Sequence, residues 1–405
     1  MSAAEWLQYA RLAKYNMGTY KSTIGSDGYV VPSLTADQSV WGSVTASFAN
    51  IAQAYDSDGN YDASKVGSYD WTSLGKQTGI TQEHTISAAG GTDKFQGYGS
   101  FGYLKQRGTQ PGQNYTRYTA KVTFDGSPKP YFKMGTSINA TYGDQDYGYS
   151  FQKSTTGSGD YYSALQAMLP WTVPYDENGA YIRNPAAGDV NIINPISELS
   201  YTTNNRKNFN VSGSFYGQLD FGKIWEPLDG LKYRIQFGPE FKFYQTGTFW
   251  DGDGINGDGN NTAKWNHYTT RGWTLDNLVY YDKTIAKDHK IGLTLMQSAS
   301  GYHYDYSTSS SVGVAMDTEL WYNMSSGTYT LGTGYSENQM SSYMIRANYG
   351  YKDKYMLTAS VRWDGSSVLA EGHKWASFPS MALAWRADQE SFLRNVSWLS
   401  QLKLR

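Results

Sequence analysis

Residues 231–244 read LKYRIQFGPEFKFY and separate by parity into two unlike sets. Leu231, Tyr233, Ile235, Phe237, Pro239, Phe241 and Phe243 fall on one side. Lys232, Arg234, Gln236, Gly238, Glu240, Lys242 and Tyr244 fall on the other. A period of two marks an extended strand, whose successive side chains point to opposite faces, whereas a helix would mix the two sets around its circumference. Ordinary strands run to about five or six residues, and roughly 9–11 tilted residues carry a strand across a bilayer. Alternation over this whole stretch therefore predicts a tall strand with one oily and one charged face.

The same alternation predicts strands near 80–89, 95–104, 115–125, 130–143, 207–221, 231–246, 268–282, 289–302, 341–350, 355–364, 374–386 and from 400 onward. Tyr118, Ala120, Val122 and Phe124 oppose Arg117, Thr119, Lys121 and Thr123 as cleanly as in the first stretch. The connections alternate in length. Those at 90–94, 126–129, 222–230, 283–288 and 351–353 are short, and those at 105–114, 144–206, 247–267, 303–340 and 365–373 are longer. Antiparallel outer-membrane barrels have tight periplasmic turns and long extracellular loops, so the long connections are expected to face outside. Aromatic residues near strand ends, such as Tyr351, Tyr355, Trp363 and Trp385, suit interfacial girdles.

Before the first strand, Ser2 and Glu5 fit a capping box that opens a short helix over 6–15. Residues 16–70 are rich in Gly, Ser, Asp and Tyr without a clear period and are expected to form extended loop. The sequence starts without a basic and apolar leader and stops in another alternating segment, so it is expected to be a fragment truncated at the C-terminus.

Composition narrows the chemistry. The 34 Lys and Arg balance 36 Asp and Glu, which argues against a nucleic-acid partner. With no cysteine, disulfides and thiolate chemistry are excluded. The five histidines are scattered without metal-ligand spacing, and Tyr175-Asp176-Glu177 and Asp388-Gln389-Glu390 read as turns rather than paired catalytic carboxylates. No catalytic residue is expected and the chain is not read as an enzyme. Asp251, Asp253 and Asp258 stand at spacings that could converge on Ca²⁺, although Ile255 and a missing terminal Glu depart from the EF-hand pattern; a solvated Gly-rich loop tip is the other reading. No other cofactor is implied. In the long connections, Tyr161, Tyr162, Trp171, Tyr175, Trp250, Trp265, Trp321 and Tyr322 could stack on sugars or peptide side chains, or pack loop against loop.

Several strings then combine. TQEHTISA at 81–88, GGTDK at 90–94, YGSFGYL at 98–104 and RYTAKV at 117–122 resemble the early barrel of SusC/RagA-type TonB-dependent receptors. YMLTASVRWDGSS at 355–367, WASFPSMALAWR at 375–386 and WLSQLKLR at 398–405 are similar to later strings of that family, in the same order. The resemblance covers 80–143 and 341–405, and the middle by layout.

It implies an all-β fold: a partial antiparallel transmembrane β-barrel, about a dozen strands of an expected barrel of about 22 around a plug, with long extracellular loops. Residues 1–79 would be a loop and short-helix region between early barrel strands, and 80–405 the barrel segment, with plug and N-terminal extension absent. The family also implies a SusD-like lipoprotein partner, a TonB complex engaged through the missing N-terminal part, and an oligosaccharide or peptide substrate, in a bacterial outer membrane. Arg117, Lys121, Lys232, Arg234, Glu240 and Lys242 would then face the lumen and contact the plug, because charges inside a filled barrel need partners. The odd-numbered apolar set of 231–243 would face lipid. A passive porin, needing neither plug nor TonB, and a soluble carbohydrate-binding β-protein are the alternatives.

Overall fold

A computed structural model describes residues 1–149, 161–187, 189, 191–393, 396 and 398–405. The part of the predicted long loop at 150–160 lies outside the described residues. Twelve strands form one antiparallel sheet in which every strand pairs with its sequence neighbours. They are β1 Ile80–Gly91, β2 Phe95–Arg107, β3 Gln113–Lys129, β4 Phe132–Tyr147, β5 Thr202–Asp220 and β6 Leu231–Trp250, then β7 Thr262–Ile285, β8 His289–Val312, β9 Thr328–Tyr351, β10 Tyr355–Ser366, β11 Trp375–Arg386 and β12 Lys403–Leu404. All twelve coincide with predicted segments. β7, β8 and β9 reach 24 residues each, about twice what a bilayer crossing needs, so they project well beyond it.

The connections keep their alternation. Residues 286–288 and 352–354 are tight hairpin turns that hold Ala286, Lys287, Lys352 and Asp353 at positive φ, the left-handed geometry that matches strand twist. The β5–β6 ladder lapses opposite Gly238 and Pro239, since Pro239 has no N–H to donate. At the other end, the predicted loops at 247–267 and 303–340 shrink to 251–261 and 313–327, because the ladders continue through polar residues such as Thr308–Val312 opposite Thr328–Gly332. Alternation of polarity fades above the apolar zone, while backbone pairing does not depend on it.

Among the described residues, little of the sheet itself is buried apart from a small cluster around Phe249 and Ala263. Buried apolar residues gather instead at the end of the long connections. Ahead of β1 stand α1 Ala3–Asn16, α2 Leu34–Trp41, α3 Thr45–Ala52 and α4 Trp71–Leu74; the β4–β5 connection adds α5 Tyr161–Gln166 and α6 Pro195–Glu198. The capping box forms: Ser2 N donates to Glu5 Oε2 at 2.7 Å and Glu5 N to Ser2 Oγ at 3.2 Å. Residues 16–70, expected as extended loop, contain α2 and α3. Each helix is eight residues long, too short to be stable alone, and gains its stability from packing that a local pattern does not reveal.

Candidate functional site: a two-faced wall and its outer cap

Strand register sorts side chains into two continuous faces. One ladder row joins Phe215, Phe237, Leu275 and Ala299, and another joins Leu219, Tyr233, Val279, Leu295, Ile345 and Val361. These apolar rows lie on one face. Polar interruptions on it are satisfied locally, as where Tyr233 OH donates to Asn277 Oδ1 at 2.6 Å and Asn277 Nδ2 to Gln297 Oε1 at 2.7 Å. In hydrocarbon an unpaired group of this kind would cost several kcal/mol.

The opposite face carries the six predicted lumen residues, since Lys121 shares a row with Asn139, Ser212 and Glu240, and Lys242 pairs with Asn210. Much of their charge is already compensated. Arg117 meets Glu83 at 3.4 Å, Lys232 meets Asp282 at 3.7 Å and Lys242 meets Glu240 at 2.9 Å. Arg234 lies 3.9 Å over the Tyr216 ring and donates to Gln236 at 3.0 Å. Arg117, Lys232, Arg234 and Lys242 thus find partners within the sheet, without a plug, through cross-strand neighbours that single-strand parity does not show.

The outer cap is built from two distant segments. Leu7, Tyr20, Val30, Ala36, Trp41 and Ile51 enclose Trp171 from the β4–β5 connection, whose ring sits 5.9 Å from that of Trp41. Asn50 Nδ2 donates to Trp171 O at 2.9 Å, Trp71 Nε1 to Thr172 O at 2.9 Å and Tyr69 N to Pro170 O at 2.7 Å. At the centre of the α1–α2 packing, the fully buried Asp37 accepts from Arg11 Nε at 2.9 Å, Arg11 Nη2 at 2.5 Å, Tyr20 OH at 2.8 Å and Tyr55 OH at 2.6 Å. Burial and the neighbouring carboxylate push both tyrosines well above their ordinary value.

This packing decides among the eight predicted loop aromatics. Trp171, Tyr161, Trp250 and Trp321 are buried, the first two inside the cap and Trp321 against Phe249 and Ala263 of β6 and β7, so they offer no surface to a ligand. Trp250 and Trp265 lie on β6 and β7 rather than in a loop. Tyr175 packs beside Tyr181 at 5.2 Å, and Trp265 lies 5.8 Å from Tyr322. Tyr162 on α5 and Tyr322 in the β8–β9 connection remain exposed, at 37% and 65%.

At the Asp251 loop the carboxylates do not gather as a metal-ligand group among the described residues. Asp251 Oδ1 accepts from Asp253 N at 2.8 Å in a local turn, and among the described residues no three His, Cys, Asp or Glu side chains converge as metal ligands. Another acid holds this loop. Glu198, at the end of α6 and fully buried, accepts from Ile255 N through Oε2 at 3.0 Å, while Oε1 has no hydrogen-bond partner among the described residues. Burial raises its pKa, against the opposing Ile255 N–H and the Arg183 charge. Nothing local in the sequence marks Glu198, because its partner is 57 residues away.

A second group was also missed. Tyr268, Tyr304 and Tyr306 gather on the lumen-type face of β7 and β8, with Tyr244 of β6 beside them. The alternating YHYDY at 302–306 was the available signal, but it lay in a stretch expected to be loop.

No family model matches the chain. It is 28% identical over 377 residues to TonB-dependent receptor P26 of Formosa agariphila, covering 91% of this chain and 36% of that protein. It is 27% identical over 357 residues to TonB-dependent receptor SusC of Bacteroides thetaiotaomicron, covering 83% of this chain and 34% of that one. The chain thus spans about a third of the length of these curated relatives. The RagAB peptide transporter superimposes on all of this chain, over 44% of its own, with a TM-score of 0.78 at 19% identity, which shows a shared fold. In its ordered family strings, its two-faced twelve-strand wall and these likenesses, the chain is similar to SusC/RagA-type TonB-dependent receptors over about a third of their length.

Proposed function

We propose that this chain supplies part of the wall and outer cap of an importer that brings oligosaccharides across the outer membrane, without covalent chemistry, together with a SusD-like surface lipoprotein and driven through TonB. The observation that carries the reading is the pairing of an apolar face with a polar, charge-compensated face on strands too long to end at the membrane, below a packed cap. Apolar rows suit lipid and the opposite face suits a wet or plug-filled interior. Of the predicted aromatic residues, Tyr162 on α5 and Tyr322 in the β8–β9 connection are the exposed rings open to cargo.

A second reading, peptide import, draws on the likeness to RagAB, whose name gives peptides as its cargo. Deleting the full-length gene and measuring uptake of labelled glycans and peptides tests both. Loss of glycan uptake supports the first reading, loss of peptide uptake alone supports the second, and survival of both removes the importer reading.

A further inference from the structure

We infer that Tyr268, Tyr304 and Tyr306 form a stacking platform for a neutral oligosaccharide in the outer mouth of the lumen, an inference that rests on the importer reading above and names the part of the wall that grips the cargo. The three rings stand on adjacent paired strands, so their positions are set by the ladder and not by a loop. Tyr268 pairs with Tyr306, and Tyr304 pairs with Thr270 one step along. Ring centroids lie 6.4 Å (Tyr268 to Tyr304, planes 14° apart) and 5.9 Å (Tyr304 to Tyr306) from one another. Tyr306 lies across Gly334 of β9, where a Cβ would come within 2.6 Å of its hydroxyl, so the absent side chain is what lets this ring lie over the sheet.

The height of the cluster follows from the reverse face of the same strands. There Arg271 meets Asp305 at 2.5 Å, and His303 lies 3.3 Å from Asp305 and 3.9 Å from Glu337. Four ionisable groups on the outward face belong at or above the lipid headgroups, since a lipid-facing Arg at the bilayer midplane costs about 2–4 kcal/mol. The tyrosines directly behind them therefore face the mouth of the lumen, where cargo arrives.

Their chemistry selects the cargo class. Among the described residues none of the three hydroxyls makes a hydrogen bond, unlike Tyr216, Tyr233 and Tyr355, whose hydroxyls donate to Asp125, Asn277 and Glu390. Free phenol hydroxyls beside apolar ring faces suit a ligand with C–H faces and a rim of hydroxyls. The adjacent charges, Glu240 and Lys242, offset each other at 2.9 Å, and the nearby cations Arg206 and Lys264 lie over the rings of Tyr147 and Trp250. Peptide binding by strand addition needs a free sheet edge, and β7 and β8 are paired on both sides, which closes that mode here.

The test uses the full-length receptor, co-purified with its own surface lipoprotein and titrated calorimetrically with neutral hexasaccharides of glucan, fructan and mannan type and with neutral hexapeptides. Tyr268→Ala/Tyr304→Ala is expected to weaken hexasaccharide binding about tenfold or more, with Tyr268→Phe/Tyr304→Phe, which keeps the rings, staying within about threefold. Tyr335→Ala, on the outward face at the same height, is expected to bind as wild type. Unchanged affinity in the double alanine variant, binding of hexapeptides in place of every hexasaccharide, or a lowered unfolding temperature with affinity intact would each overturn the inference. The importer reading fails separately: gene deletion then leaves uptake intact, whereas uptake lost on deletion but retained by the double alanine variant sinks the platform alone.

Discussion

Replacing Asp37 with alanine is expected to loosen the outer cap while the strand wall keeps its pairing. The carboxylate receives four donors, from two guanidinium nitrogens of Arg11 and the hydroxyls of Tyr20 and Tyr55, and both Arg11 and Asp37 are fully buried. Removing it strands a cation in a core lined by Leu7, Trp41, Ile51 and Trp171. Breaking a buried pair by deleting one partner costs about 3–5 kcal/mol, far more than a surface pair is worth. Amides of α1 and α2 exchange hydrogen through opening of this module, so their exchange in the full-length receptor at neutral pH should accelerate by about 10²- to 10⁴-fold, with β6–β9 amides unchanged. Arg11→Met/Asp37→Leu should recover most of the loss, because an apolar pair of similar volume removes the desolvation penalty along with the attraction. The reasoning is refuted if α1 and α2 exchange at the wild-type rate in Asp37→Ala, or if the double variant is as loose as the single one.

Three further outcomes are expected. Burial holds the folded-state pKa of Glu198 above its unfolded value, so the folded cap binds the proton more tightly and this contribution to stability is present at low pH and lost as pH rises through the raised pKa; Arg183, Tyr149 and Tyr201 are the other titratable groups around it. Exchange protection of 251–261 should therefore fall between mildly acidic and neutral pH, and Glu198→Gln should flatten that profile. Leu295→Arg, in the apolar row between Val279 and Ile345, should destabilise the folded receptor in lipid vesicles by about 2–4 kcal/mol, whereas Thr274→Arg on the opposite face should change it by less than about 1 kcal/mol in equilibrium unfolding. Adding millimolar Ca²⁺ and then a chelator should leave protection of 251–261 unchanged, because Asp251 already serves its local turn; a Ca²⁺-dependent rise would reverse that assignment.

Parity along each strand was legible because its cause is local: a strand places alternate residues on opposite faces whatever surrounds it, so Leu231–Trp250 showed its oily and charged sides directly. The turns were legible for the same reason. Their lengths and the Ser2–Glu5 cap are set within a few residues. Ladder ends were not, since β7, β8 and β9 continue through Thr, Ser and Gly on backbone pairing to a neighbouring strand. The cap was hidden further, because α2 and α3 are held by residues more than 100 positions away, as Asn50 is by Trp171.

For the candidate site the same division holds. The sequence alone determined that this is a tall, two-faced antiparallel β-protein of a recognisable receptor family, and that its aromatic residues would matter. Only the tertiary structure decided which do what. Trp171 and Trp250 became interior packing, Glu198 became the hold on the 251–261 loop, and Tyr268, Tyr304 and Tyr306 became neighbours. The physical reason is that facing water or an interior, and meeting a partner, are properties of register and long-range contact, which one residue's neighbours in the chain do not fix.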